Sequence, residues 1–306
     1  MSAPLAGAAA PRPDDVVLDA PPALGALYAR ALAGARRRRS GELTSRALVV
    51  PAVTVEAAAL AAHARVCGGA FTGVAPLAYP HLLAFGAQVQ LMLTEPFPFG
   101  VLGLVHLRQV ITQHRPLRAG EQVRVRVSAA GLAAHPRGAV VDLLADLDVD
   151  GEPVWSGRST YLSRGASAQG LPAAAPADAD ADPGPSLTGP ASARWPVPAD
   201  TGRRYARVSG DVNPIHLHPL TARALGFPRA IAHGMWTLAR ATAAVAPRLP
   251  GAVTADVTFA RPVLLPSTVE LLVRPAAVAG GWDLVLRSGS GEGARTHLSG
   301  SLRPRA

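Results

Sequence analysis

The sequence predicts an α+β protein made of two similar halves, in which two antiparallel sheets are each wrapped around one central apolar helix. Three observations predict it. A stretch rich in proline, alanine and aspartate divides the chain near its middle; an apolar helical stripe occurs once on each side; and each stripe is followed by alternating apolar residues introduced by Arg-Pro.

The divide covers residues 166–198, where Ala, Pro, Asp, Gly and Ser dominate without apolar periodicity, the composition of a linker. The expected organisation is an N-terminal extension over 1–44, a first repeat over 45–165, the linker, and a second repeat over 199–306. In the first repeat Leu82, Phe85, Val89 and Met92 recur at helical steps and stop before Pro96. In the second, Ile231, Met235, Leu238, Thr242 and Val245 do the same and stop before Pro247. Arg115, Pro116 and Leu117 followed by Val123, Val125 and Val127 match Arg261, Pro262 and Val263 followed by Val269, Leu271 and Val273 at a constant offset, as an internal duplication would leave them. Their period of two is that of strands covered on one face. Further strands are expected over Ala139 to Leu147, Pro153 to Leu162, Trp282 to Arg287 and Thr296 to Leu302. Two such sheets could pair edge to edge.

Composition narrows the function classes. Hydrophobic residues are 49% of the 306 and charged residues 17%, as in a globular protein. No apolar run approaches the roughly 18 residues of a membrane span. Met1 to Asp15 lacks the basic start and apolar stretch of a secretory signal, so a cytoplasmic location is expected. Cys67 is the single cysteine, which excludes an intrachain disulfide and a cysteine metal cluster. All 30 basic residues are arginine, and without lysine Schiff-base chemistry is excluded. The net charge of +9 favours anionic partners. Arg36 to Arg39 follow the apolar segment Leu24 to Ala35 and read as a solvated helix end or loop; aromatic residues are only 5%, and no nucleic-acid-binding signature accompanies the run.

Chemistry concentrates between Tyr205 and Trp236. Asp200 is a candidate N-cap, Tyr205 and Val208 supply a buried face, and Gly210 suits the left-handed position that ends a helix. Pro214 disfavours helical geometry at Asn213 and fits the first turn of a new element. The result is a tight turn presenting Asp211 and His216 together. A carboxylate and an imidazole on one turn form an acid/base pair, while the alternative on these residues alone is a capping Asx turn. Fifteen residues after His216 begins the run Ile231, Ala232, His233, Gly234, Met235, at the start of the second apolar helix. Unpaired N–H groups at a helix start, with a glycine allowing close approach, could receive a developing oxyanion. His233 reads as a cap or a buried structural histidine.

The run SGDVNPIH followed by GFPRAIAHGM resembles the signature of the MaoC-like family, the (R)-specific enoyl-CoA hydratases and 3-hydroxyacyl-thioester dehydratases of the hotdog fold. The likeness is strong over Arg203 to Arg240, and VTFARPVLLP looks like the family's next strand. The first half resembles, in outline, the non-catalytic repeat of the double hotdog members. This resemblance implies that Asp211 and His216 form the catalytic pair around one water, that Gly234 is the oxyanion donor, and that Asn213 supports the loop. Ser209, His233 and Met235 would join Asn213 beside the substrate. It implies reversible hydration of trans-2-enoyl thioesters, carried by coenzyme A or acyl carrier protein, in fatty-acid or related lipid metabolism. Neither a cofactor nor a metal is implied: His216, His218 and His233 are close in sequence, but no carboxylate completes a metal-binding spacing. Expected partners are the thioester and, in a homodimer, a second double hotdog chain, with no nucleic acid and no membrane span. A non-catalytic thioester-binding scaffold and a hotdog thioesterase are the alternatives.

One departure is His218, which stands where many relatives carry an acidic residue; a surface position is expected. The first half has His63 and Arg65 but no Asp-x-Asn-Pro-x-His arrangement. The resemblance implies that it lost catalysis and gave up helix-side volume to house an acyl tail. His63 and His81 read as core or surface residues.

Overall fold

The computed structural model describes residues 14–34, 41–174, 184–289 and 293–305. Arg36 to Arg39 lie outside the described residues. The strands of both halves join in one sheet of eleven, in which β1 (Asp15–Val17) pairs parallel with β2 (Ala47–Thr54) and all other pairings are antiparallel. The expected two sheets therefore meet edge to edge as one.

The remaining strands of the first half are β3 (Val105–Gln113), β4 (Gln122–His135), β5 (Gly138–Val149) and β6 (Glu152–Arg164). Those of the second are β7 (Ala193–Val197), β8 (Val253–Thr258), β9 (Ser267–Pro275), β10 (Trp282–Ser288) and β11 (Arg295–Pro304). Beyond β1 the order runs β2-β4-β5-β6-β3 and then β8-β11-β10-β9-β7. The second half is the first in mirror sequence about the β3–β8 seam, the arrangement of a double hotdog. At that seam Val110 stands opposite Asp256, and Arg108 crosses to Asp256 with a 2.6 Å ion pair.

The helices repeat as well. Helix α1 (Leu24–Ala33) is extra; α2 (Ala57–Cys67) and α3 (Pro80–Met92) belong to the first half. Helices α4 (Thr201–Ser209), α5 (Pro214–Leu217), α6 (Pro219–Ala224) and α7 (Gly234–Ala243) belong to the second. The sheet wraps α3 and α7, so both are apolar on nearly every side, with Ala84, Val89 and Leu91 of α3 and Leu238 and Ala241 of α7 fully buried. Alternation along the strands does what it predicts: Val123, Val125 and Val127 of β4 and Val269 and Leu271 of β9 are inaccessible to solvent.

Two readings need correction. Arg115 to Leu117 and Arg261 to Val263 lie in the connections before β4 and β9 rather than in strands, because proline lacks the N–H that a ladder requires. Within the span read as linker, Ala193–Val197 forms the edge strand β7 against β9. An edge tolerates Pro196, whose missing donor weakens no second ladder. Among the described residues no helix is long and apolar enough to cross a membrane.

Candidate active site

The turn that carries Asp211 is built by close approach. Helix α4 ends at Gly210, whose φ of 71° is left-handed and whose missing side chain leaves room for Leu24 of α1; a Cβ there would stand 2.4 Å from Leu24 Cδ1. Earlier in α4, Gly202 lies so close to α5 that a Cβ would stand 2.0 Å from the His216 carbonyl oxygen. Pro214 opens α5 while Asn213 stays extended at ψ 124°. Asp211 thus stands on a loop, and His216 on the short helix that follows it, clamped from both sides.

Asp211 accepts two hydrogen bonds on Oδ1, from the Tyr28 hydroxyl at 2.5 Å and the Asn213 backbone N–H at 3.1 Å. Its own N–H donates to Ser209 Oγ at 3.1 Å, and the Ser209 hydroxyl donates to the Tyr205 carbonyl at 2.9 Å. Burial works against the carboxylate, but the neighbouring His233 and His216 and the Tyr28 and Asn213 donors outweigh it and hold its pKa below the usual range. Asp211 is ionised at neutral pH. Tyr28 stays protonated for the matching reasons, burial and the facing carboxylate.

The two histidines are set as tautomers by carbonyl acceptors. His216 Nδ1–H donates to the Ile231 carbonyl at 2.8 Å, leaving Nε2 with its lone pair. His233, at the N-cap position of α7, donates from Nε2 to the Asp211 carbonyl at 3.0 Å. The rings stack with centroids 3.7 Å apart. Burial and the adjacent His233 push the His216 pKa down to about 3, and burial lowers that of His233 too. A neutral imidazole with a free nitrogen therefore faces an ionised carboxylate.

One ligand atom from each of Asp211, His216 and His233 falls within 4.8 Å of the others. Rings stacked at 27° direct their in-plane lone pairs side by side rather than to one point, and one nitrogen of each ring already serves a carbonyl. The trio is better arranged to hold a water than an ion.

Gly234 is the first residue of α7, and its N–H has no partner within the helix. A Cβ there would stand 3.3 Å from the Phe259 ring, so glycine keeps the helix start open. All seven residues singled out from the sequence line one cavity of about 360 Å³: Asp211, His216, Gly234, Asn213, Ser209, His233 and Met235. Asn213 supports the loop through its backbone, while its Oδ1 is buried without a partner. His218 is exposed, as expected, and caps α6 by accepting from the Leu220 N–H. His63 is a core residue on α2.

The cavity also takes Leu82, Phe85 and Met92 from α3, and Arg137, Arg164 and Arg261. Sequence reasoning missed Tyr28, which the 1–44 extension delivers to Asp211, and gave no role to His81, which lines the same cavity. A signal existed for Tyr28: Leu24, Leu27, Tyr28 and Ala31 share one helical face, and the tyrosine hydroxyl is that face's only polar group.

Comparison with known proteins identifies the family. The MaoC like domain family matches residues 186–279. The chain is 40% identical over 251 residues to the 3-hydroxyacyl-thioester dehydratase X of Mycobacterium tuberculosis, covering 82% of this chain and 87% of that protein. It is 28% identical over 185 residues to the peroxisomal enoyl-CoA hydratase 2 of Arabidopsis thaliana, covering 55% and 57%. A crystal structure of HtdX from Mycobacterium tuberculosis superposes with a TM-score of 0.73 at 36% identity, covering 85% of this chain and all (100%) of that one. With the fold and these relatives in accord, the chain belongs to the MaoC-like dehydratase family.

Proposed function

We propose that the protein is a hydro-lyase that adds water to trans-2-enoyl thioesters and removes it from (R)-3-hydroxyacyl thioesters. The observation that carries this reading is the tautomer of His216. Its Nδ1–H is committed to the Ile231 carbonyl, so Nε2 is a base facing the ionised Asp211 beside the start of α7.

A water between them donates one O–H to His216 Nε2 and the other to the Asp211 carboxylate. As Nε2 takes its proton, the hydroxide adds to C3 and the electron pair of the C2–C3 double bond moves through C2 to the thioester oxygen. The Gly234 N–H receives that oxygen. The His216 imidazolium, stabilised by Asp211, returns its proton to C2 on the same face, so one whole water is added and both residues regain their starting state. Dehydration is the reverse.

The acyl chain occupies the apolar floor given by Leu82, Phe85 and Met92, while Arg137, Arg164 and Arg261 suit the phosphates of coenzyme A or of a carrier-protein arm. The test is to mix the protein with trans-2-enoyl-CoAs of increasing length and follow the loss of enoyl absorbance. Hydration without free thiol supports the reading. Thiol release would mark a thioesterase, and binding without turnover a scaffold.

A further inference from the structure

The acyl end of the cavity is not purely apolar. His81, the second residue of α3, is 3% exposed, and its Nδ1 is buried without a hydrogen-bond partner. His106 of β3 stands beside it, ring centroids 6.2 Å apart, and its Nε2 is likewise buried and unpartnered. Both line the cavity that holds Asp211 and His216. His106 has the Arg108 backbone and the Gln109 side chain as polar neighbours, yet these two nitrogens remain unpaired among aromatic rings. His81 packs on the Phe85 ring at 5.6 Å, and His106 lies between the rings of Tyr161 at 4.5 Å and Phe259 at 4.8 Å. Burial, and for His106 also the neighbouring His81, pushes their pKa values down to about 4 and about 3, so both rings are neutral.

A buried polar atom left unpaired is costly, and such groups in proteins are generally satisfied by something. A cavity built only for a hydrocarbon tail would have leucine or phenylalanine at both places. The position along the substrate is set by the neighbours. Phe259, which His106 touches, also closes on Gly234, so this polar pair begins about one ring's width from the thioester site and continues into the floor made by α3.

We propose that His81 and His106 are specificity-determining residues that hydrogen-bond a second oxygen on the acyl chain. The substrates would then be enoyl thioesters bearing a hydroxyl or keto group beyond C3 rather than plain alkyl chains. A neutral imidazole offers one donor and one acceptor nitrogen, which suits a hydroxyl fully and a keto oxygen through the donor. This deepens the hydratase reading and rests on it for the direction in which the substrate lies.

The experiment compares trans-2-enoyl-CoAs of equal length that differ only in whether one methylene beyond C3 carries a hydroxyl or keto group, walked along the chain. For at least one position the wild-type chain should show about tenfold higher kcat/KM for the oxygenated substrate. His81→Phe should bring that ratio close to one. Because both substrates are assayed on one preparation, the ratio is independent of the folded fraction; if His81→Phe yields no folded protein, His106→Phe decides. Equal or better use of the alkyl chain at every position overturns the proposal, as does a ratio that survives the decisive variant. If no thioester is turned over, the hydratase reading fails, and calorimetric binding of saturated oxygenated and plain acyl-CoAs to the wild-type chain then decides the specificity: tighter oxygenated binding sustains it, and equal binding overturns it.

Discussion

Removing a single oxygen atom at Tyr28 isolates what the N-terminal helix contributes to the chemistry. In Tyr28→Phe the ring that packs at 5% exposure between α1 and the catalytic loop remains, and only the 2.5 Å donor to Asp211 Oδ1 is lost. A hydrogen bond to a charged group contributes about 1.5–3 kcal/mol, which at about 1.4 kcal/mol per tenfold corresponds to a kcat/KM lower by roughly ten- to a hundredfold. The same loss appears in the pH profile. Tyr28 is among the groups holding the Asp211 pKa below the ordinary carboxylate range against its burial, so without it the carboxylate protonates at higher pH and the acid limb moves upward. The assay is initial hydration rate against enoyl-CoA concentration from acid to neutral pH for both proteins, with melting temperature as the fold control. If Tyr28→Phe turned over like the wild type with an unmoved acid limb, the account of Tyr28 as a positioning residue would be refuted, because loss of packing alone changes neither.

The same contacts set further expectations. The His216 pKa is pushed down to about 3 and that of Asp211 is below its usual range, so kcat/KM should be flat from about pH 5 to 8; an inflection near the ordinary histidine value of about 6.5 would contradict the assigned protonation states. Stability, unlike activity, should vary within that window. Burial holds the folded pKa values of His63 and His81 at about 4 and those of His106 and His216 at about 3, whereas the unfolded chain takes up protons below about 6.5. The unfolded state then binds more protons, so stability falls as pH drops through this range, approaching about 1.4 kcal/mol per pH unit for each histidine; denaturant midpoints unchanged between pH 6.5 and 4.5 would rule this out. Gly202→Ala places a Cβ 2.0 Å from the His216 carbonyl oxygen and forces α4 and α5 apart, an overpacking worth about 1–3 kcal/mol. Both melting temperature and kcat should fall, and a variant matching the wild type in both would show that this contact does not position His216.

How legible the molecule was in its sequence depended on whether the signal was local. The turn from Gly210 to Pro214 was readable because a left-handed residue, an X-Pro step and a helix start each leave a mark at one position. The wrapped helices and the strands β4, β5, β6, β9, β10 and β11 were readable from their periods. The seam was not. β3 and β8 meet across a sequence separation of well over a hundred residues, and their paired positions carry polar groups, Arg108 and Asp256 satisfied by each other across the seam and Gln109 by Ser159 of β6 and the Val110 carbonyl. Strand β7 hid in a stretch whose composition marks a linker, since the alternation of Ala193–Val197 lasts only five residues and is interrupted by Pro196. At the site, the residues of one contiguous motif were found and those arriving from elsewhere were not. Tyr28 and His106 reach the cavity only through tertiary packing, and the face that carries Tyr28 reads from sequence simply as buried.

The claim on which the rest depends is that Asp211 and His216 act as one unit on a single water. Hydration of a trans-2-enoyl-CoA by Asp211→Asn, His216→Ala and the double variant tests it most directly. The account predicts that each single change lowers kcat by about a hundredfold or more and that the double variant is little worse than the poorer single one, as for groups sharing one step. Wild-type turnover in either single variant, or losses that simply multiply in the double, would contradict it.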